Sequence, residues 1–180
     1  MNFLDVNFAI DFRKKKNYTD NGTDDIQYLI STNPGETLKP LGQIVSGGEL
    51  SRIMLALKAI LADRDEIETL IFDEIDTGVS GRAANKVGEK LFALSMEKQV
   101  LCVTHLPQIA ALGEHQYRIV KEAQGDKTLT QVELLGEEGR AMEIARLTAG
   151  LGVTQQTLRS AREILEIARA FQEDCMAKKH

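Results

Sequence analysis

Two adjacent acids, Asp73 and Glu74, close the apolar run Thr69-Leu70-Ile71-Phe72. A strand ending this way puts carboxylates at a sheet's carboxyl edge, where open α/β sheets bind ligands. One such carboxylate can hold Mg²⁺ directly or through water. Its neighbour, pointing elsewhere, can orient or deprotonate a water. A second group, Ser46-Gly47-Gly48-Glu49, opens a helix, with Ser46 and Glu49 at the spacing of a capping box. The glycine pair goes beyond capping. Without Cβ atoms, its N–H groups can approach a ligand closely at the positive end of a helix, which suits phosphate. Thr104-His105 follows a further apolar run, Val100 to Val103. A lone histidine after a strand is more often structural. At this position, however, it would reach the same edge as Glu74 and could sense a terminal phosphate. Asp76-Thr77-Gly78-Val79-Ser80-Gly81 reads either as a plain helix-start loop or as a loop carrying Asp76 towards a neighbouring subunit.

The elements that must position these groups follow from periodicity. Val6, Phe8, Ile10 and Phe12 alternate with Asn7, Ala9 and Asp11, which predicts a half-buried strand. Asn17 to Asp25 is turn-rich, and Ile26 to Ser31 reads as the returning strand of an antiparallel hairpin. After the loop residues Asn33-Pro34-Gly35, the helix from Ser46 carries Leu50, Ile53, Met54, Leu57, Ile60 and Leu61 at helical spacing. Thr69 to Phe72 and Gln99 to Val103 read as buried, parallel strands. Between them Gly81 to Met96 is helical, with Ala83, Val87, Leu91 and Leu94 on one face. Pro107 opens a short helix. Tyr117 to Val120 and Thr128 to Leu135 form a hairpin around Gln124-Gly125-Asp126. Helices follow near Glu137 to Thr148 and Thr154 to Cys175, the latter striped by Leu158, Ala161, Leu165, Ala168 and Phe171. The expectation is one α/β unit over residues 1–176, with a parallel sheet core, antiparallel hairpins, flanking helices and a loose tail at 177–180.

Composition narrows the classes. The 180 residues are 43% hydrophobic and 27% charged, ordinary for one globular core. No apolar run approaches the roughly 20 residues of a membrane helix, and the first residues lack a signal-peptide pattern, so a cytoplasmic setting is expected. A net charge of −5 argues against a free-standing nucleic-acid binder. Arg13-Lys14-Lys15-Lys16 is the exception, read as a solvated turn before a DNA contact. Cys102 reads as a small core residue and Cys175 as a free thiol, with no zinc spacing.

Taken together, the motifs resemble the ABC ATPases. The Leu-Ser-Gly-Gly signature appears as Val45-Ser46-Gly47-Gly48-Glu49, followed by a Walker B pair at Asp73-Glu74, a D-loop from Asp76 and a switch histidine at His105, in the family's order. The short spacing is similar to the SMC-like branch. Within it, Ser46 to Arg52, Phe72 to Gly81 and Cys102 to Ala110 resemble the RecN family of DNA-repair proteins, supported by Asn33-Pro34-Gly35 and by Ala161 to Leu165.

The resemblance implies an ABC-type P-loop NTPase head, of which this chain is the carboxy-terminal lobe. The sequence contains no G-x-x-x-x-G-K-[ST] phosphate loop. Gly125-Asp126-Lys127-Thr128 and Gly88-Glu89-Lys90-Leu91 are only partial matches. In the family that loop lies in an amino-terminal half, beyond a long coiled-coil insertion, so this chain alone is expected to be inactive. In the whole protein, two heads would sandwich two ATP molecules. Ser46, Gly47, Gly48 and Glu49 would cover the partner's ATP, Asp73 would support Mg²⁺, Glu74 would polarise the attacking water, His105 would contact the γ-phosphate and Asp76 would communicate across the dimer. The implied partners are the amino-terminal half, a second head and DNA, in a bacterial, nucleoid-associated setting with no membrane. Removal from its other lobe is expected to leave apolar surface or a strand edge exposed. Other readings are a different SMC-like ABC ATPase, a non-hydrolysing DNA clamp, or a metal-dependent hydrolase built on Asp73, Glu74, Asp76 and His105. The last lacks the clustered histidines such enzymes show.

Overall fold

The computed structural model describes residues 6–32, 34–43, 47–61, 64, 66–124, 127–150 and 152–178. Ser46, and with it the capping-box expectation, lies outside them, as does the Gly125-Asp126 turn. The chain opens with a long hairpin, β1 (Asn7–Thr19) against β2 (Gly22–Ser31), to which β3 (Lys39–Pro40) adds a short antiparallel edge. A 3₁₀ turn at Leu41–Gln43 leads towards helix α1 (Gly47–Leu61). Then come β4 (Thr69–Phe72), α2 (Gly81–Ser95), β5 (Gln99–Cys102) and the single turn α3 (Pro107–Ala110). A second hairpin, β6 (Tyr117–Gln124) with β7 (Lys127–Leu134), precedes α4 (Glu137–Ala149) and α5 (Gln155–Ala177).

β4 and β5 pair in parallel with Thr69 opposite Gln99 and Phe72 opposite Cys102. Both therefore end at the same edge, so the acids after β4 and the histidine after β5 are neighbours. One core cluster stands beneath them: Leu55 of α1, Phe72, Ile75, Val87, Leu91 and Leu94 of α2, and Ile109 of α3, joined by Leu70, Val100 and Cys102. The α2 stripe is as predicted. A second cluster joins Ala111 to Ile144 and Ala145 of α4 and Ala161 and Ala168 of α5. Its alanines let the two helices approach closely. Thr154 and Thr157 cap α5 reciprocally, and Phe171 meets Phe92 of α2 edge-on at 6.1 Å, tying α5 to α2. Arg140 of α4 donates to the carbonyls of Gly113 (2.7 Å) and Ala111 (3.2 Å), holding the end of α3 against α4.

Several expectations need correction. The hairpin arms are longer than the turn-rich composition suggests, because Lys14 faces Asp24 and Arg13 faces Asp25 across the strands and opposite charges support the pairing. The reversal shrinks to Asp20-Asn21, with Gly22 at φ +91°. Arg13 to Lys16 thus lie within β1, not in a turn, and Arg13 and Lys15 pair with Asp11 and Asp25. The alternating apolar face of β1 and β2 is not half-buried. Phe8 stacks on Tyr28, yet Phe8, Ile10, Phe12, Ile26 and Tyr28 are all exposed. The parallel pair is covered on one side only: Leu70 and Phe72 face the core, while Ile71 is 70% exposed and Leu101 and Val103 are exposed as well. On α1 the buried line runs through Gly48, Arg52, Ile53 and Leu55, whereas Leu50, Met54, Ile60 and Leu61 face outward. Helix α5 continues to Ala177, so the first residue assigned to a loose tail is helical. No helix among the described residues is long and apolar enough to cross a membrane.

Burial differences set the expected stability effects. Leu55 is fully buried, so Leu55→Ala is expected to cost about 2–5 kcal/mol in a urea unfolding series. Ile71→Ala on the open sheet face should stay within about 0.5 kcal/mol. Burial, with Asp76 and Asp73 adding to it, pushes the Cys102 thiol up to about 12. Its alkylation at pH 8 should therefore run at least about a hundredfold slower in the folded chain than in urea. Equal rates would contradict the packing of β5.

Candidate functional site at the carboxyl edge of the parallel strands

Asp73 leaves the end of β4 exposed, and its Oδ1 accepts a hydrogen bond from the Glu74 amide at 3.0 Å. Glu74 takes the left-handed conformation at φ 56°, the one described non-glycine residue with positive φ. Such a conformation in a side-chain-bearing residue costs on the order of 1–3 kcal/mol and concentrates at functional sites. It reverses the chain so that Ile75 plugs the core at 0% exposure while the Glu74 carboxylate stays in solvent. The turn is closed by the Thr77 amide to the Glu74 carbonyl and the Val79 amide to the Asp76 carbonyl.

The start of α1 packs directly on this turn. A Cβ on Gly48 would stand 2.8 Å from the Thr77 carbonyl oxygen and 2.9 Å from that of Glu74. A Cβ on Gly47 would stand 2.8 Å from Glu74 Oε2. The glycine pair therefore makes room for the chain's own acidic loop. Ser51 Oγ donates to the Asp73 carbonyl at 3.0 Å. Arg52, buried, donates through one guanidinium nitrogen to the carbonyls of Ile75 (3.2 Å) and Thr77 (2.7 Å). Burial pulls its proton affinity down, and nearby Glu49 pulls it back up.

Asp76 turns inward. It is 3% exposed, and its Oδ2 accepts from Thr104 Oγ1 (2.6 Å) and from the His105 amide (2.8 Å), with His105 Nδ1 at 2.9 Å. The geometry holds it against the following strand's end within the same chain, rather than presenting it to a neighbouring subunit. The His105 side chain itself is largely exposed. Gly47, Gly48, Asp73, Glu74, Asp76 and His105 are thus brought to one edge, while Glu49 sits half-buried in the first turn of α1. Sequence reasoning passed over Arg52 and Thr104 as individual contributors. A charged residue four positions after Gly48, on the same helical face, was the available signal for Arg52.

The site is thus a parallel strand pair with an acid pair and a histidine at one edge, abutted by a glycine-started helix. The chain is 44% identical to DNA repair protein RecN of Halalkalibacterium halodurans over 93% of its length, covering 30% of that protein. It is 47% identical to the RecN proteins of Bacillus subtilis and Vibrio cholerae, over 83% and 80% of its length and 26% of each of theirs. The chain belongs to the RecN family, and it spans less than a third of the length of these relatives. No protein-family model matches it. A solved chain from work on ATP-driven dimerization and DNA-stimulated activation of SMC ATPases gives a TM-score of 0.47 at 19% identity, covering 71% of this chain and 76% of that one. That likeness is too loose to carry a functional step.

The two glycines should respond differently to a methyl group. In Gly48→Ala the clash is with backbone, and a loss of about 1–3 kcal/mol is expected in urea unfolding. In Gly47→Ala the clash is with a movable carboxylate, so stability should stay within about 0.5 kcal/mol. Equal losses would sink this account of the contact.

Proposed function

We propose that this chain is the carboxy-terminal lobe of an ATP-hydrolysing head in a RecN-type DNA-repair protein, inactive until an amino-terminal half supplies the phosphate loop. The observation that carries the reading is the convergence at one sheet edge of the α1 start, the Asp73-Glu74 pair and His105. Family membership supports it.

In this mechanism Glu74 polarises the water that attacks the terminal phosphate. It projects into solvent from a backbone reversal that α1 holds through Gly48 and Arg52. His105 contacts the γ-phosphate, with Asp76 and Thr104 fixing where its backbone and ring stand. The start of α1, Gly47, Gly48 and Glu49 together with the preceding Ser46 of the signature motif, receives the phosphates of a nucleotide held by a second head, using backbone N–H groups at the positive helix end. Asp73 supplies an exposed hard oxygen donor, which fits Mg²⁺, an ion that usually takes one or two carboxylates plus phosphates and keeps several waters. Among the described residues no three His, Cys, Asp or Glu side chains form a cage of their own. When bound, Mg²⁺ would offset charge developing on the phosphate oxygens. A head dimer closing on two ATP molecules, and DNA engaged through the full-length protein, complete the proposal.

The test is ATP turnover by this chain alone and after mixing with the separately produced amino-terminal half. Turnover is expected only in the mixture, and Glu74→Gln should lower it by about 10²–10⁴-fold, the span attributed to a general base. Steady turnover by the chain alone would overturn the split-site reading. Nucleotide binding in the mixture without any turnover would favour a non-hydrolysing clamp.

A further inference from the structure

Arg52 is a charged side chain at 6% exposure in a helix whose other buried residues, Gly48, Ile53 and Leu55, are apolar or lack a side chain. Burying a guanidinium is costly unless its donors are satisfied. Here the partners include two main-chain carbonyls, Ile75 and Thr77, that flank Asp76 on the reversal following Glu74. The bond to Thr77 at 2.7 Å is short, as expected of a charged donor. The same helix face contributes the backbone contact of Gly48 with Glu74 and Thr77, and the adjacent Ser51 bonds the Asp73 carbonyl. Every residue from Asp73 to Thr77 except Asp76 is therefore touched by α1. Asp76 is fixed instead to Thr104 and His105.

We infer that Arg52 is a positioning residue: it clamps the 75–77 backbone to α1, so that the helix start, Glu74 and the Asp76–His105 contact move as one body. The inference deepens the nucleotide reading and rests on it for its functional consequence. A phosphate seated at the first turn of α1 would bear on the same rigid piece that carries the water-polarising carboxylate. Loss of the clamp frees the turn without touching any group that would meet the nucleotide. It should therefore lower the rate of the chemical step more than the affinity.

Two measurements test this, and only the second depends on the nucleotide reading. In the chain itself, amide hydrogen exchange is followed by NMR in wild type, Arg52→Met and Arg52→Lys. Arg52→Met keeps the length and apolar contact of the stem while removing both carbonyl bonds. The amides of Thr77 and Val79 should exchange on the order of ten- to a hundredfold faster, the factor expected from losing a bond to a charged donor. Those of β4, β5 and α2 should change little, and Arg52→Lys should recover part of the protection. A uniform increase across all elements would mean that Arg52 serves only global stability, and unchanged exchange at Thr77 and Val79 would mean that it does not hold the turn. Either result overturns the inference. In the mixture with the amino-terminal half, Arg52→Met should lower kcat roughly ten- to a hundredfold with KM little changed. An unchanged kcat would refute the functional part. Absence of turnover in the wild-type mixture would instead count against the nucleotide reading, and the exchange data would still decide whether Arg52 clamps the turn.

Discussion

The close approach of the first turns of α1 to the reversal after β4 is the constraint on which the site depends. Gly48 has no side chain because the carbonyls of Glu74 and Thr77 occupy the space a Cβ would need. Arg52 is buried because the same Thr77 carbonyl and one further carbonyl on that reversal, that of Ile75, lie within its reach. The reversal cannot relax into an ordinary strand exit without breaking these contacts, and so Glu74 is kept in a backbone conformation that its side chain disfavours. Leu55 and Ile75, both fully buried, anchor the two partners in a common core.

This coupling explains why the motifs were legible while their geometry was not. Glycine pairs before an apolar helix and acids after an apolar run are rare enough in combination to be noticed. Their order along the chain, with His105 after the next strand, is what makes the resemblance to a family specific. The inward turn of Asp76 was not legible, because periodicity assigns sides only within regular elements and Asp76 stands in a turn. Its direction is set by Thr104 and by the His105 amide, 28 and 29 residues further on. The buried face of α1 was misjudged for a related reason. Leu50, Met54 and Ile60 outweigh Gly48 and Arg52 on any apolar count, yet backbone contact and carbonyl bonding fix which side packs inward.

The hairpins teach the opposite lesson. Alternation in β1 correctly announced a strand, and it also implied a face that would be covered. Phe8, Ile10 and Phe12 remain in solvent, as does the outer side of β4 and β5 with Ile71, Leu101 and Val103. Sequence pattern records what a segment can bury, not whether the rest of the chain reaches it. For the polar tip, cross-strand pairs such as Lys14 with Asp24 decided the structure where composition suggested only a turn.

The strained backbone at Glu74 also bears on how such a chain can change over generations. Glycine adopts positive φ without penalty, so replacing Glu74 by glycine would relieve strain at the residue that supplies the proposed water-polarising group. Selection for robustness alone would drift towards that loss, whereas selection for turnover would hold the acid in place against a standing energetic disadvantage. A carboxylate at a left-handed position, where glycine would carry no strain, is what the proposed water-polarising role calls for and what fold maintenance alone does not.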